Sequence, residues 1–274
     1  MKYFIDTEFL EGPQTIKTWW GKTKTTKPTI DLISIGIVDL NGREFYAISK
    51  DFNLYEAWNR YDLIEVGEPL NMYGDKYTQK VYWIRDNVLL PIYKELIGEE
   101  NRKRRGIGIT PLSMEMNYKD LKYLISVYGK SNIDIANGIC GFIYGFDCGG
   151  SGMSAIEIAT RYEMTDKKLL PTFYAYFADY DWVAFCWLFG KMVDLPKGFP
   201  KYCRDLKQMI DNEAELIARE IAPVNKPITH IDVKSALESI KQNPKYPKQT
   251  NEHNALADAK WNLELYNFLV VNVR

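Results

Sequence analysis

Histidine and cysteine are scarce in this chain. Of its 274 residues, two are histidine and four are cysteine. The cysteines show no CxxC spacing, and two histidines are too few for the usual zinc ligand sets. They are Cys140, Cys148, Cys186 and Cys203. The sequence therefore predicts no zinc site and four free thiols, as is typical of a cytoplasmic protein.

The chain also lacks an excess of positive charge and any long hydrophobic run. Its formal net charge of −1 argues against a protein that coats long stretches of nucleic acid. An enzyme that grips only a strand end is not excluded, because bound metal ions would supply positive charge. Asp6 interrupts the first apolar run, and no run approaches the roughly 20 residues that span a bilayer. We therefore predict a cytoplasmic protein without membrane contact.

Short apolar runs at the start of the chain are typical of buried strands. Residues 2–9 and 30–39 fit this pattern, and Asn41-Gly42 predicts a tight turn into a returning strand over 44–49. These segments predict an antiparallel three-stranded meander.

Helical periodicity dominates the rest of the chain. The predicted helices cover residues 80–96, 118–128, 181–190, 204–219 and 231–241, and an aromatic strand is predicted over 172–178. Residues 137–152 contain six glycines without a clear period and are interpreted as an irregular insertion. A last helix follows Asn254, a good N-cap. We predict one α/β domain over residues 1–274, with insertions near 11–29, 137–170 and 220–250.

Two acids stand near the end of the first strand, in the segment Phe4-Ile-Asp6-Thr-Glu8-Phe9. Side chains two residues apart on a strand point to the same face. Two carboxylates near a core repel each other and lose hydration unless a cation lies between them. Isolated pairs of this kind are common, and the alternative is a frayed strand end with both acids in solvent.

Residues elsewhere complete a pattern with this pair. His253 stands just before the last predicted helix, Asp258 follows within its first turns, and Asp181 lies in the middle of the chain. The order of acid-x-acid, a lone acid and His-x₄-Asp resembles the DEDDh 3′→5′ exonucleases. That superfamily includes ribonuclease T and the proofreading subunits of DNA polymerases.

A closer resemblance is to the small bacterial polyadenylate-specific 3′-exoribonucleases. The similar segments cover about half of the chain in separated blocks that keep their order. They are Tyr3-Phe-Ile-Asp-Thr-Glu-Phe9, Leu32-Ile-Ser-Ile-Gly36, Gly42-Arg-Glu-Phe-Tyr46, Trp83-Ile-Arg-Asp-Asn-Val-Leu89, residues 180–188 and residues 253–258.

The middle acid has two candidates, Asp179 and Asp181. Asp181 matches the family pattern better, because the start of a helix follows it and an acid there suits the helix dipole. Asp179 would then be a cap or surface acid. Asp205 stays open between support of the site and an ordinary acid at a helix N-terminus.

The resemblance implies a ribonuclease H-like fold, in which the antiparallel meander and parallel strands form a mixed sheet flanked by helices. It also implies two divalent ions, Mg²⁺ or Mn²⁺, roughly 4 Å apart. Asp6 would bridge both ions, with Glu8 and Asp258 completing one site. Asp181 would hold the second ion. His253 would act as the general base that takes a proton from the attacking water.

Substrate contacts have weaker signals. Thr7 and Phe9 are candidates because they stand beside the paired acids. Trp19 and Trp20 are candidates because the lysine-rich segment 15–29 follows the strand that carries Glu8. Indoles stack on bases while lysines contact phosphates, which is usual in single-strand binding. The alternative is a solvated loop whose tryptophans pack locally.

We predict a metal-dependent 3′→5′ exonuclease that releases nucleoside 5′-monophosphates from the 3′ end of single-stranded nucleic acid. The resemblance favours RNA as the substrate. The alternatives are a DNA 3′→5′ exonuclease of the repair or proofreading type and a non-catalytic nucleic-acid-binding module on the same fold. Metal-dependent hydrolysis of matched RNA and DNA strands distinguishes all three.

Overall fold

The computed structural model describes residues 1–17, 19–66, 77–145, 170–223 and 227–272. The chain divides into two compact units by its internal contacts. The first unit is Met1–Thr7, Ser34–Ala47 and Asn132–Arg274, and the second is Glu8–Ile33 and Ile48–Ser131. The single domain with insertions stays a prediction.

The described strands form one mixed sheet and two short hairpins. They are β1 (Lys2–Gly12), β2 (Thr15–Lys17), β3 (Thr23–Thr25), β4 (Thr29–Asp39), β5 (Glu44–Ile48), β6 (Asp62–Val66), β7 (Tyr77–Val81), β8 (Thr172–Ala175) and β9 (Arg204–Asp205). The five-stranded sheet has the order β5-β4-β1-β8-β9, while β2–β3 and β6–β7 pair separately.

Strand directions in the large sheet are mixed. β8 pairs in parallel with both β1 and β9. β4 and β5 are antiparallel, since the backbone N–H of Asp39 donates to Arg43 and that of Ser49 donates to Ile33. The chain turns between these two strands at Leu40 and Asn41, and the backbone N–H of Gly42 closes the turn by donating to Asp39 at 3.0 Å. Gly42 has a positive φ of 78°, which glycine adopts without strain. The α/β fold with a mixed sheet flanked by helices is confirmed, and it is consistent with a ribonuclease H-like architecture.

The described helices come after the first five strands, and in two groups the helices follow one another without a described strand between. They are α1 (Leu54–Asn59), α2 (Leu90–Gly106), α3 (Tyr118–Tyr128), α4 (Asn132–Tyr144), α5 (Ala178–Trp187), α6 (Leu206–Ile221), α7 (His230–Lys241) and α8 (Ala255–Asn272). A π-helical segment, Arg85–Leu89, precedes α2. Among the residues described, no helix combines the length and the hydrophobicity needed to cross a membrane.

The core of the first unit joins β1 and β8 to the helices α6, α7 and α8. Helix α6 buries an apolar residue at every fourth position from Leu206 to Ala218, which gives it one continuous apolar stripe. This stripe shares a cluster with Phe4 of β1, Tyr174 of β8 and Leu265 of α8. Each large apolar side chain buried there contributes about 1.5–3 kcal/mol. The cluster fixes α8 against the sheet.

The second unit contains a buried acid with ordinary structural partners. Glu100 of α2 accepts hydrogen bonds from Tyr123 and Tyr128 of α3 and pairs with Arg104 at 2.6 Å. Arg104, one of four basic residues in a row at the end of α2 (residues 102–105), is therefore paired within this unit.

Most of the predicted elements are present, with four differences. One is that the strand predicted over 172–178 ends at Ala175. Residues 118–128 form a helix as predicted, whereas Lys80 lies in β7, so the helix predicted from residue 80 starts too early. The insertion predicted at 137–152 is wrong up to Tyr144, because α4 covers that part. Residues 146–152 lie outside the described residues. Helix α5 begins three residues before the predicted start at 181.

Candidate metal centre and active site

Strand β1 carries the first two candidate residues. Asp6 is half-buried and Glu8 is 8 % exposed. β1 continues to Gly12 beyond both acids, so they do not stand at a frayed strand end. The two carboxylates are therefore held on a regular strand with little access to solvent.

The start of helix α8 positions Asp258. Asn254 caps the helix, since its Oδ1 accepts a hydrogen bond from the backbone N–H of Ala257 at 3.0 Å. Asp258 lies in the first turn and is 6 % exposed. The predicted N-cap is confirmed, and it fixes the turn that carries the carboxylate.

Gly36 allows this turn to approach the sheet. A Cβ atom at residue 36 would lie 2.2 Å from the carbonyl oxygen of Ala255 and 2.5 Å from the Cα of Leu256. Both obstacles are backbone atoms at the start of α8, so no side chain can move aside. The packing of β4 against α8 therefore requires glycine, a reason that the sequence block containing Gly36 did not disclose.

Asp6, Glu8 and Asp258 form an acidic cluster. Each residue offers a carboxylate oxygen, and these oxygens all lie within 4.8 Å of one another. Three negative charges at such distances repel strongly where solvent is largely excluded. Carboxylate oxygens are also the ligands that Mg²⁺ and Mn²⁺ prefer. The arrangement is thus able to hold a divalent cation.

The carboxylate of Asp258 has two further partners. Its Oδ1 accepts from Nε2 of Gln249 at 2.6 Å, and its Oδ2 accepts from the backbone N–H of His253 at 2.9 Å. Burial raises the pKa of Asp258, and these two hydrogen bonds together with the charge of His253 oppose the rise. Sequence reasoning missed Gln249, because nothing local links it to an acid nine residues away.

His253 is held in an unusual backbone conformation. Its φ of 65° lies in the left-handed region, which few residues other than glycine adopt. Such a conformation persists where the surrounding structure fixes it, and here the N–H of His253 is bound to Asp258. The structure therefore ties His253 to the acidic cluster through its backbone, while its role as general base stays a prediction.

Asp181 lies in the first turn of α5. It is 5 % exposed, and its Oδ1 accepts from both the backbone N–H and the hydroxyl of Thr7, at 2.8 and 2.7 Å. Burial raises the pKa of Asp181 to about 7, with smaller contributions from the charges of Asp205 and Asp258, while the Thr7 hydrogen bonds lower it. Asp179, the other candidate, is exposed. Of the two acids, only Asp181 is joined to the strand that carries Asp6 and Glu8.

Asp205 has a defined structural role. It caps α6 by accepting from the backbone N–H of Lys207 at 2.7 Å. The same oxygen accepts from the N–H of Phe177 at 3.1 Å, where Phe177 has a left-handed φ of 56° just before α5. Asp205 therefore caps α6, as one of the two alternatives expected, and also binds the residue before α5, the helix that carries Asp181. Support of a catalytic site by Asp205 stays a prediction.

Asn262 connects α8 to β1 beside the cluster. It is 1 % exposed, and its Nδ2 donates to the carbonyl of Ile5 at 2.9 Å, one residue before Asp6. Sequence reasoning missed this residue. A signal existed, since Asn254, Asp258 and Asn262 recur every fourth residue among the apolar residues of the helix.

A cleft in the second unit opens beside Glu8. Its volume is about 670 Å³, and its lining includes Glu8, Phe9, Arg60 and Trp83. Small-molecule sites in proteins commonly occupy about 300–1,000 Å³. Phe9 is half-buried there, and Trp83 is 42 % exposed. Arg60 supports the cleft by donating to the carbonyl of Pro13 at 2.8 Å.

The predicted substrate residues are placed differently from one another. Phe9 lines the cleft beside Glu8. The hydroxyl of Thr7 is directed to Asp181, so the role that its contacts support is positioning of that carboxylate. Trp19 and Trp20 lie between β2 and β3 and are 93 % and 83 % exposed, so they do not pack locally. Substrate contact by all four residues stays a prediction.

Comparison with known proteins gives two distant relatives. They are Mycobacterium tuberculosis proteins from strains CDC 1551 and H37Rv, and each is named a 3′-5′ exoribonuclease. This chain is 24 % identical to each over 209 residues, which cover 76 % of this chain and 73 % of each relative. No family model matches the chain. The chain is thus similar, at low identity, to proteins whose names describe 3′-5′ exonucleases.

Proposed function

We propose that this protein is a divalent-metal-dependent 3′→5′ exoribonuclease of the DEDDh type. The observation that carries the proposal is the acidic cluster, in which oxygens of Asp6, Glu8 and Asp258 lie within 4.8 Å of one another. The two relatives named 3′-5′ exoribonuclease support the reaction and the RNA substrate. DNA hydrolysis and binding without catalysis are the outcomes that the experiment below separates from it.

The donor set fits Mg²⁺ or Mn²⁺. All three ligands in the cluster are hard oxygen donors, and two of them are buried. Asp6, Glu8 and Asp258 would hold one ion, and Asp181 would complete the site of a second. Such a pair of ions, when bound, activates water and stabilises charge on the leaving oxygen. Raised pKa values at Asp181 and Asp258 fit groups that need a cation to stay ionised.

The protein's own groups would manage the proton and the geometry. The attacking water forms a new bond to phosphorus as its proton passes to the imidazole of His253. The bond from phosphorus to the 3′ oxygen of the preceding nucleotide breaks, that oxygen takes up a proton from solvent to become a 3′ hydroxyl, and a nucleoside 5′-monophosphate leaves. Thr7 and Gln249 keep the Asp181 and Asp258 carboxylates in fixed orientations during this step.

The cleft beside Glu8 would receive the terminal nucleotide. Phe9 and Trp83 offer aromatic surfaces for a base, and the volume of about 670 Å³ accommodates one nucleotide. Placing the terminal nucleotide here sets the adjacent phosphate near Glu8.

The test is hydrolysis of a 5′-labelled single-stranded RNA, followed on a sequencing gel with Mg²⁺ or Mn²⁺. We expect a ladder that shortens by one nucleotide at a time from the 3′ end and disappears with EDTA. Asp6→Asn and His253→Ala should lose the ladder. Asp179→Asn is the matched control, since that acid is exposed and should leave the ladder unchanged.

Parallel substrates decide between the alternatives. Equal hydrolysis of a DNA strand of the same sequence would replace the exoribonuclease with a general exonuclease, and homopolymer RNAs would reveal any preference for adenine. An intact RNA in the presence of either metal would refute the proposal and favour a binding module.

A further inference from the structure

The hairpin formed by β2, β3 and the turn between them exposes two adjacent indoles at its tip. Trp19 and Trp20 are 93 % and 83 % exposed. Gly21 follows them with a positive φ of 72°, which closes the turn and holds the indoles at the tip. Exposure of two neighbouring tryptophans has no stabilising role in the described part of this unit, so it indicates a surface for a partner. We call this element the tryptophan hairpin.

The root of the tryptophan hairpin is fixed by hydrogen bonds. Gln14 is 3 % exposed and donates to Asp31 at 2.7 Å, and its backbone carbonyl accepts from Thr26 at 2.8 Å. The backbone N–H of Thr15 donates to Glu56 of α1 at 3.0 Å. Hydrogen bonds therefore hold the root of the tryptophan hairpin in place, so its aromatic tip belongs to an anchored element.

The charge around the hairpin selects the partner. Residues 13–30 contain four lysines and no acid, in a chain whose formal net charge is −1. These lysines are Lys17, Lys22, Lys24 and Lys27. Lys22 and Lys24 follow the indoles in the sequence and are exposed. Aromatic side chains stack on unpaired bases, and lysines contact phosphates. This combination is typical of proteins that bind single-stranded nucleic acid.

We infer that the tryptophan hairpin binds the single-stranded part of the substrate upstream of the terminal nucleotide. The inference rests on the proposed function in taking the bound strand to be the substrate. Stacking does not read base edges, so this contact would strengthen binding with little regard to sequence. The hairpin would thus give affinity for unpaired strands, while the cleft beside Glu8 receives the 3′ end.

The segment between Glu8 and Trp19 limits how long an RNA strand must be to reach both the cleft and the tryptophan hairpin. Glu8 and Trp19 are separated by 11 residues, which span at most about 40 Å when fully extended. Stacked nucleotides advance about 3.4 Å each, so about 12 nucleotides cover that span in any arrangement. A strand of 16 nucleotides is therefore long enough to occupy both places.

The test is binding of a fluorescein-labelled 16-nucleotide RNA to the full chain in EDTA, measured by fluorescence anisotropy. The variant Trp19→Leu/Trp20→Leu keeps apolar side chains but removes the stacking surfaces, and Trp19→Tyr/Trp20→Tyr keeps aromatic rings. We expect the leucine variant to bind about 25-fold more weakly, about 5-fold per indole, and the tyrosine variant to stay within a few-fold of wild type.

Salt dependence gives a second readout. For single strands, each neutralised phosphate contributes about 0.7 to the slope of log K against log salt. Lys22→Gln/Lys24→Gln should therefore lower the slope by about 1.4. Lys119→Gln/Lys122→Gln, at two exposed positions of α3, is the matched control and should leave the slope unchanged.

The outcomes separate this inference from the proposed function. Binding in EDTA that depends on the indoles supports the inference even if no hydrolysis occurs with metal. Equal affinities of the wild type and the leucine variant, beside normal hydrolysis, overturn the inference and leave the function standing. A loss confined to binding of anionic phosphatidylserine vesicles also overturns it, because the hairpin would then serve a membrane surface.

Discussion

The acidic cluster and the tryptophan hairpin are built in opposite ways. Glu8 and Asp258 of the cluster are 8 % and 6 % exposed, and both oxygens of Asp258 accept hydrogen bonds. The indoles of the hairpin are 93 % and 83 % exposed. Charged groups are thus buried in one region, and large aromatic groups are exposed in the other. Each region inverts the usual distribution of residue types between core and surface.

Under the proposed function, this difference predicts which kinetic parameter changes in each region will alter. Buried and oriented carboxylates stabilise charge that develops during reaction, so changes there should lower kcat. Exposed rings on a hairpin add binding energy for the strand in its ground state and its transition state alike. Changes there should raise KM and leave kcat close to that of the wild type.

The largest effect is expected from Asp258→Asn. Loss of one anionic ligand from the cluster should lower kcat by about 10²–10³-fold, since several kcal/mol of charge stabilisation depends on the bound cation. Steady-state hydrolysis of a 16-nucleotide RNA measures this, with Trp19→Leu/Trp20→Leu beside it. The comparison fails if the hairpin variant loses more kcat than the Asp258 variant.

Gly36→Ala should come next. The added Cβ would lie 2.2 Å from the backbone of Ala255, so α8 must shift and the free energy of unfolding should fall by about 3 kcal/mol. Hydrolysis should fall with it, because Asp258 moves. Gly98→Ala in α2 is the control, since nothing lies within 4 Å of its Cβ and alanine favours helix by about 1 kcal/mol. Urea denaturation in which both variants behave alike would contradict this packing argument.

Asp181→Asn should make the metal-free protein less sensitive to pH. The folded pKa of Asp181 is about 7 and its unperturbed value is 3.8, so between these values the folded state binds more protons than the unfolded state. The free energy of unfolding therefore falls as pH rises from about 4 to about 7. Denaturation in EDTA at pH 5 and pH 8 should show the variant gaining on the order of 2 kcal/mol relative to wild type over that interval.

The matched control for this measurement is Asp179→Asn, an exposed acid two residues away. The free energy of unfolding of Asp179→Asn should differ from that of the wild type by the same amount at pH 5 and at pH 8. If the free energy of unfolding of Asp181→Asn also differs from wild type by the same amount at both pH values, burial does not raise the pKa of Asp181.

Gln249→Ala should have the smallest effect. It removes the 2.6 Å hydrogen bond to Asp258 but leaves the carboxylate in place, so Mn²⁺ affinity should fall by about 10-fold. Isothermal titration calorimetry with Mn²⁺ measures the change, and Gln242→Ala at the end of α7 serves as control. An unchanged affinity would show that the Gln249 amide has no part in orienting the ligand.

Local sequence signals predicted much of the fold. The alternation in β1, the Asn41-Gly42 turn and the cap at Asn254 each follow from interactions between near neighbours. Helix α4 was missed because its glycines lower helix propensity. Gly138 is needed there for a distant reason, since a Cβ at that position would lie 2.9 Å from the ring of Phe45. Packing between segments far apart in sequence overrides the local signal at such positions.

The candidate site shows the same contrast between local sequence signals and contacts that form only in the fold. Spacing and resemblance predicted Asp6, Glu8 and Asp258, and the structure brings these three together. Two of the supporting contacts join distant segments and for that reason were not predicted. Thr7 to Asp181 spans 174 residues and Asn262 to Ile5 spans 257. Ligands that share a motif are visible in a sequence, whereas the hydrogen bonds that orient them depend on the finished fold.

The most direct test of the central claim is Mn²⁺ binding to the purified protein, followed by electron paramagnetic resonance as free Mn²⁺ disappears. We expect the wild type and Asp179→Asn to bind Mn²⁺ alike and Asp6→Asn to lose most of this binding. Asp6→Asn that still binds as the wild type does, or a wild type that binds no Mn²⁺, would contradict the assignment of the acidic cluster as a metal site.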